Sequence, residues 1–180
     1  KQANNDPMRL ERRDPHRHVM PDPLAKPANG DFTLTGNWSI RHDGQPGAAE
    51  VQADLYDFLQ RMGIACADHA EKSISLVFNP RLPERAFHLY TRPESIEIQA
   101  SAPTGLWAGH AWLEWHMRTR RGPFLPRLDE ERNPVWGTQI SQGPWGGNYS
   151  VPDFSPEYLS DDAFRLYAHY GVNSMMIYGD

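Results

Sequence analysis

Residues 135–178 read as strand, helix, strand, and this order restricts the possible folds more than any other feature of the sequence. Val135 to Ile140 has strand character. Leu159, Ala163, Leu166, Tyr167 and Tyr170 then fall at offsets 0, 4, 7, 8 and 11, one stripe on a helix of 3.6 residues per turn. Gly171 follows as a cap, and Val172 to Tyr178 is strand-like again. Such a crossover makes two parallel strands, and parallel sheets are covered on both faces, which needs strands and helices that residues 1–180 do not supply. The unit is expected to be the opening of a larger sheet, completed by further chain or by another polypeptide.

Upstream, the pattern changes three times. Residues 1–30 carry Pro7, Pro15, Pro21, Pro23 and Pro27 with arginines and few large hydrophobes, which predicts an extended arm. From Asp31 the chain alternates: Phe32 and Leu34, then Trp38 and Ile40 after Gly36, predicting one strand with an irregularity at Gly36. Val51, Leu55, Phe58, Leu59 and Met62 form a helical stripe within 47–62, with Gly63 placed to end it. Three period-2 runs follow, at Ile74, Leu76 and Phe78, at Phe87 and Leu89, and at Ile96 and Ile98; they predict an antiparallel meander with one wet face. Leu106, His110, Leu113 and Met117, widened by Trp107, Trp112 and Trp115, predict a largely buried helix.

The expected class is α+β: a small sheet with two helices in the order β-α-β-β-β-α over 31–121, then a Pro- and charge-rich linker at 122–134, then the βαβ unit at 135–180. Composition fits a globular protein, with 39% hydrophobic and 23% charged residues. A net charge of −5 gives no pull towards nucleic acid or an anionic membrane, so neither is an expected partner. No run of about 18 apolar residues is present, so no membrane-spanning helix is expected.

The run Ser95-Ile-Glu-Ile-Gln-Ala-Ser-Ala-Pro-Thr-Gly-Leu-Trp-Ala-Gly109 leads into a hydrophobic helix, a Pro-rich segment and a strand. It resembles the N-terminal, hexosaminidase domain 2-like part of family 20 β-hexosaminidases and family 67 α-glucuronidases. Ala163-Phe-Arg-Leu-Tyr-Ala-His-Tyr-Gly-Val-Asn-Ser-Met-Met-Ile-Tyr178 is similar to the first helix and second strand of the (β/α)8 barrel that follows in those enzymes. The resemblance covers roughly residues 70–178, with Tyr170 to Asn173 its most specific step. It implies the N-terminal portion of a glycoside hydrolase, the first βαβ of an incomplete (β/α)8 barrel, a carbohydrate substrate, and a secreted or periplasmic location. It also implies that the catalytic carboxylates lie on later strands, so no catalytic residue is assigned in this chain, which alone is expected to be inactive. Val135-Trp-Gly-Thr-Gln-Ile-Ser141 departs from the family in lacking the sugar-binding arginine usual on the first barrel strand.

Barrel active sites form at the C-terminal ends of strands, which points to Gln139, Trp145, Asn148 and Asp180 as substrate-binding candidates. Trp145, within Gly-Pro-Trp-Gly-Gly, is placed either to stack on a sugar ring or to pack its loop onto the domain. Asp180 stands where the second strand would end. Glu130-Glu131 and Asp161-Asp162 read as solubilising or helix-dipole carboxylates rather than a catalytic pair. His16 and His18 in the arm, and the single Cys66, meet no metal spacing, so neither a metal nor a cofactor is expected. Cys66, His110 and Met117 read as packed residues. The rival reading is a non-catalytic carbohydrate- or protein-binding protein in which residues 32–121 do the work.

Overall fold

The computed structural model describes residues 19–134, together with 140–141, 165, 168–169 and 174–175. The chain divides into two units, Val19–Val135 on one hand and Lys1–His18 with Trp136–Asp180 on the other.

The unit Val19–Val135 runs β1 (Phe32–Thr33), β2 (Asn37–His42), α1 (Ala48–Arg61), β3 (Ala65–Cys66), β4 (Lys72–Phe78), β5 (Phe87–Thr91), β6 (Ser95–Ala100), α2 (Pro103–Arg120), β7 (Phe124–Leu125) and β8 (Asp129–Arg132). It is an α+β fold, as the sequence indicates. Six strands form one sheet in the order β3-β2-β4-β6-β5-β8. β3, β2, β4 and β6 are parallel neighbours, and β5 is antiparallel to both β6 and β8.

The expected antiparallel meander is therefore wrong in its pairing. β6 lies between β4 and β5, with Ile74 opposite Ile96 and Leu76 opposite Ile98 in a parallel ladder. Alternation fixes which face a side chain takes, but neither the direction nor the neighbour of a strand. What sets the direction here is the turn after β5: Arg92 N–H donates to Ser95 O at 2.8 Å and Ser95 N–H to Arg92 O at 3.3 Å. This folds β5 and β6 into a hairpin and leaves β4 to meet the far side of β6.

Ile74, Leu76, Leu89, Ile96 and Ile98 share one core with Val51, Leu55, Phe58 and Leu59 of α1 and Leu106, Leu113 and Met117 of α2, all buried. Each such side chain contributes about 1.5–3 kcal/mol on leaving water. The predicted stripe on α1 is its buried face. Its end is a Schellman turn: Gly63, at φ 77, donates to Gln60 O at 3.0 Å, and Ile64 N–H reaches Leu59 O at 2.9 Å. α2 begins with Pro103, whose missing N–H costs nothing in the first turn. It then lies so close to the sheet that a Cβ on Gly105 would fall 2.5 Å from the carbonyl oxygen of Ala86.

Three segment readings change. The single strand expected from Phe32 to Ile40 is two: β1 pairs with β7, and after Gly36 the chain enters the large sheet as β2. The supposed linker 122–134 holds β7 and β8, so it is built into this unit; Phe87 pairs with Arg132 and Tyr90 with Asp129. The last part of the supposed arm is packed as well. Val19 is buried, and Asp22 N–H donates to Arg121 O at 2.7 Å, tying that segment to the end of α2.

In the other unit, β9 (Ile140–Ser141) and β10 (Ser174–Met175) pair in parallel, Ser174 opposite Ile140 and Met175 opposite Ser141. Arg165, Ala168 and His169 are helical. Among the described residues no helix is long and apolar enough to cross a membrane.

Candidate functional site

Gln139, Trp145, Asn148 and Asp180, the substrate-binding candidates, lie outside the described residues, as do His16, His18, Asp161 and Asp162. Two side-chain clusters in the unit Val19–Val135 are well defined.

The first is buried between the helices. His110 Nε2 lies 2.9 Å from Asp54 Oδ2 and 3.5 Å from Glu114 Oε1, and all three side chains are excluded from water. Phe58 meets the His110 ring edge-on at 6.5 Å between centroids, and Trp107 lies 5.6 Å away. The sequence reading took His110 as a packed residue of the core or of a domain interface, and it is in the core; both acids were missed. A signal was present: Asp54 falls three residues after Val51 on the buried stripe, and Glu114 one turn after His110. The donor atoms of these three residues lie within 4.8 Å of one another, close enough to surround a cation. A histidine between two carboxylates also makes a buried charge cluster that fixes one helix against the other.

The second cluster stands on the flank of α2 beside β8. The indoles of Trp112 and Trp115 stack at 4.6 Å with 5° between their planes. The Arg132 guanidinium covers Trp112 at 4.0 Å, and Trp112 Nε1 donates to Glu130 Oε1 at 2.6 Å. Arg132 in turn donates to Glu130 Oε2 at 3.1 Å. His116 meets both indoles edge-on at 5.1 Å, and its Nδ1 accepts from Arg120 Nη1 at 3.2 Å. Arg120 Nε donates to Asp31 Oδ2 at 2.7 Å.

These contacts set the protonation of two groups. Burial, with Arg120 beside it, holds His116 below its ordinary value. Burial alone would raise Glu130, but the hydrogen bonds from Arg132 and Trp112 outweigh it and hold the carboxylate below its ordinary range. Glu130 thus serves the indole and the guanidinium as a fixed acceptor, which the solubilising role read from the sequence did not anticipate. Burial pushes the Cys66 thiol up, in keeping with a packed, unreactive side chain.

The fold defines a class: two helices laid on one face of a mixed six-stranded sheet, an α+β architecture. Within it, the chain is similar to the N-acetyl-β-hexosaminidase of Streptomyces plicatus in complex with Thio-NAglucal, at a TM-score of 0.53 and 21% identity. It is similar also to the GH20 β-N-acetylhexosaminidase of Streptomyces coelicolor A3(2), at 0.51 and 23%. Each alignment covers 69% of this chain and 28% of the other, so the chain spans just over a quarter of the length of these enzymes. At such identities the likeness is one of fold. No family model and no curated protein matches the sequence.

Proposed function

We propose that this chain is the N-terminal portion of a glycoside hydrolase that cleaves a glycosidic bond in an oligo- or polysaccharide, with its main catalytic carboxylates outside residues 1–180. The observation that carries this reading is the fold likeness to the two Streptomyces hexosaminidases over 69% of the chain. The parallel pairing of Ile140–Ser141 with Ser174–Met175 supports it, because a (β/α)8 barrel begins with such a pair. In this reading residues 135–180 open the barrel, and Gln139, Trp145, Asn148 and Asp180 contribute to substrate binding at its strand ends. The likeness to α-glucuronidases rests on the sequence motifs alone, which puts an N-acetylhexosaminide ahead of a glucuronide as the substrate. A secreted or periplasmic location follows from the same resemblance.

The test is hydrolysis of p-nitrophenyl N-acetyl-β-glucosaminide, N-acetyl-β-galactosaminide and α-glucuronide by the full-length gene product and by residues 1–180. Release of nitrophenol by the longer protein from one of these, with none from residues 1–180, is expected. Failure of the longer protein on all three, and on the corresponding oligosaccharides, would remove the reading.

A further inference from the structure

Asp54, His110 and Glu114 are shut off from water inside the unit Val19–Val135, and this burial does not depend on how much further chain accompanies it. His110 and Glu114 stand one turn apart on α2, so their side chains leave the same face of that helix. Asp54 meets them from α1. The donor atoms converge: His110 Nε2 lies 2.9 Å from Asp54 Oδ2 and 3.5 Å from Glu114 Oε1, and all three lie within 4.8 Å of one another.

A hydrogen bond uses this convergence incompletely. Nε2 carries one hydrogen at most, directed along a single line in the ring plane, yet oxygens of two residues on two helices approach it. Two ionised carboxylates this close also repel each other. A divalent cation among the three atoms accepts a lone pair from each and turns that repulsion into attraction. Phe58 and Trp107 flank the imidazole, so the charges meet in an apolar setting, where such attraction is strongest.

The distances suit a small ion. Around a tetrahedral zinc, with bonds of about 2.0–2.2 Å, neighbouring ligand atoms stand about 3.4 Å apart. The separation from Glu114 already matches, and Asp54 Oδ2 has only to retreat by about half an ångström, a small rotation of its side chain. One carboxylate binding through both oxygens brings the ligand atoms to four. An imidazole with two carboxylates is a donor set for zinc, manganese or ferrous iron, not for copper(I), which asks for sulfur. Helix bundles build metal sites in the same way, from acids and a histidine on facing helices.

We propose that Asp54, His110 and Glu114 hold a divalent transition-metal ion, zinc by preference, as a clamp between α1 and α2. With its ligands excluded from water the ion is structural and meets no substrate. This inference does not rest on the glycosidase reading.

The experiment is metal analysis of the full-length gene product, as purified and after chelation followed by dialysis into zinc, beside Asp54→Asn and Glu114→Gln. These variants keep the shape of the cluster and remove one ligand charge. The wild type is expected to carry about one zinc per chain that each variant lacks, and its urea midpoint to rise when zinc returns. Cobalt(II) in place of zinc should give the wild type, and neither variant, the intense visible absorption of a four-coordinate site. A wild type that takes up no zinc and shows no cobalt spectrum overturns the proposal and leaves a hydrogen-bonded charge cluster. Equal zinc in the wild type and both variants puts the ion elsewhere and overturns it as well. Should both variants unfold, zinc-edge X-ray absorption of the wild type decides: one imidazole among oxygen neighbours upholds the site, whereas several imidazoles, a sulfur neighbour or no bound zinc overturns it. None of these outcomes turns on whether the product hydrolyses a glycoside.

Discussion

His110 Nε2 on α2 lies 2.9 Å from Asp54 Oδ2 on α1, and neither side chain touches water. A buried carboxylate has given up its hydration and relies on such partners for compensation. Breaking a buried pair by removing one member typically costs about 3–5 kcal/mol, because the other loses part of its compensation, whereas removing both also removes their desolvation penalties. Asp54→Ala and His110→Ala are each expected to lose about 3 kcal/mol in urea unfolding, and Asp54→Leu with His110→Leu to lose clearly less than the sum of the corresponding single variants. Strict additivity would mean that the pair is not energetically coupled.

A Cβ on Gly109 would fall 2.5 Å from Ile98 Cγ2, just as one on Gly105 would meet the Ala86 carbonyl oxygen. Alanine gains about 1 kcal/mol of helix propensity over glycine, but overpacking typically costs about 1–3 kcal/mol and more where backbone must move. Both alanine variants should therefore be destabilised, Gly105→Ala more than Gly109→Ala, because the Ile98 side chain can shift more readily than the backbone at Ala86. Urea midpoints decide it; a stabilised Gly105→Ala would show that α2 does not pack this closely in solution.

Much of this unit was legible because its core repeats at simple periods. The α1 stripe from Val51 to Met62 and the inward residues of β4, β5 and β6 follow from 3.6- and 2-residue spacing alone, although Phe78, in the same alternation, ends β4 exposed. β8 was not legible. Asp129-Glu-Glu-Arg132 has no apolar alternation, since an edge strand is held by backbone bonds to one neighbour and its side chains remain largely in water. Asp54 and Glu114 were missed for a different reason. They occupy buried stripe positions, but acids there are ordinarily assigned to the wet face; His110, on the facing helix for Asp54 and one turn back on the same helix for Glu114, is the partner that offsets their burial. The Trp112 and Trp115 stack was read as added core because spacing cannot tell a buried indole from one that leans on its neighbour at the rim.

Gly63 tests the helix end in isolation. Its φ of 77 is left-handed, and nothing lies within 4 Å of where a Cβ would stand, so substitution adds backbone strain without a clash. A left-handed residue with a Cβ costs about 1–2 kcal/mol, and asparagine tolerates that region better than alanine. Gly63→Ala should lose about that amount and Gly63→Asn less. Equal losses would point to a steric cause instead.

His116 gives the fold a defined pH dependence. Its folded value lies below the ordinary 6.5, through burial and the adjacent Arg120 guanidinium, which donates to Nδ1 and so requires that nitrogen unprotonated. Between the folded value and 6.5 the unfolded chain binds the proton and the folded chain does not, so stability rises with pH there. The contribution is complete above pH 6.5 and is lost as pH falls towards the folded value. Glu130, also held below its ordinary 4.5, has the same sign at lower pH: its contribution is present above 4.5 and is lost as pH falls through its folded value. The informative quantity is a difference between variants. The urea midpoint of the wild type should fall more steeply from pH 7.5 to 5.5 than that of His116→Gln, while the two run parallel above pH 7. Parallel curves throughout, or an imidazole resonance of His116 titrating at or above 6.5, would show that this ring is hydrated in solution and that the packing of Trp112, Trp115 and Arg120 around it is looser than described.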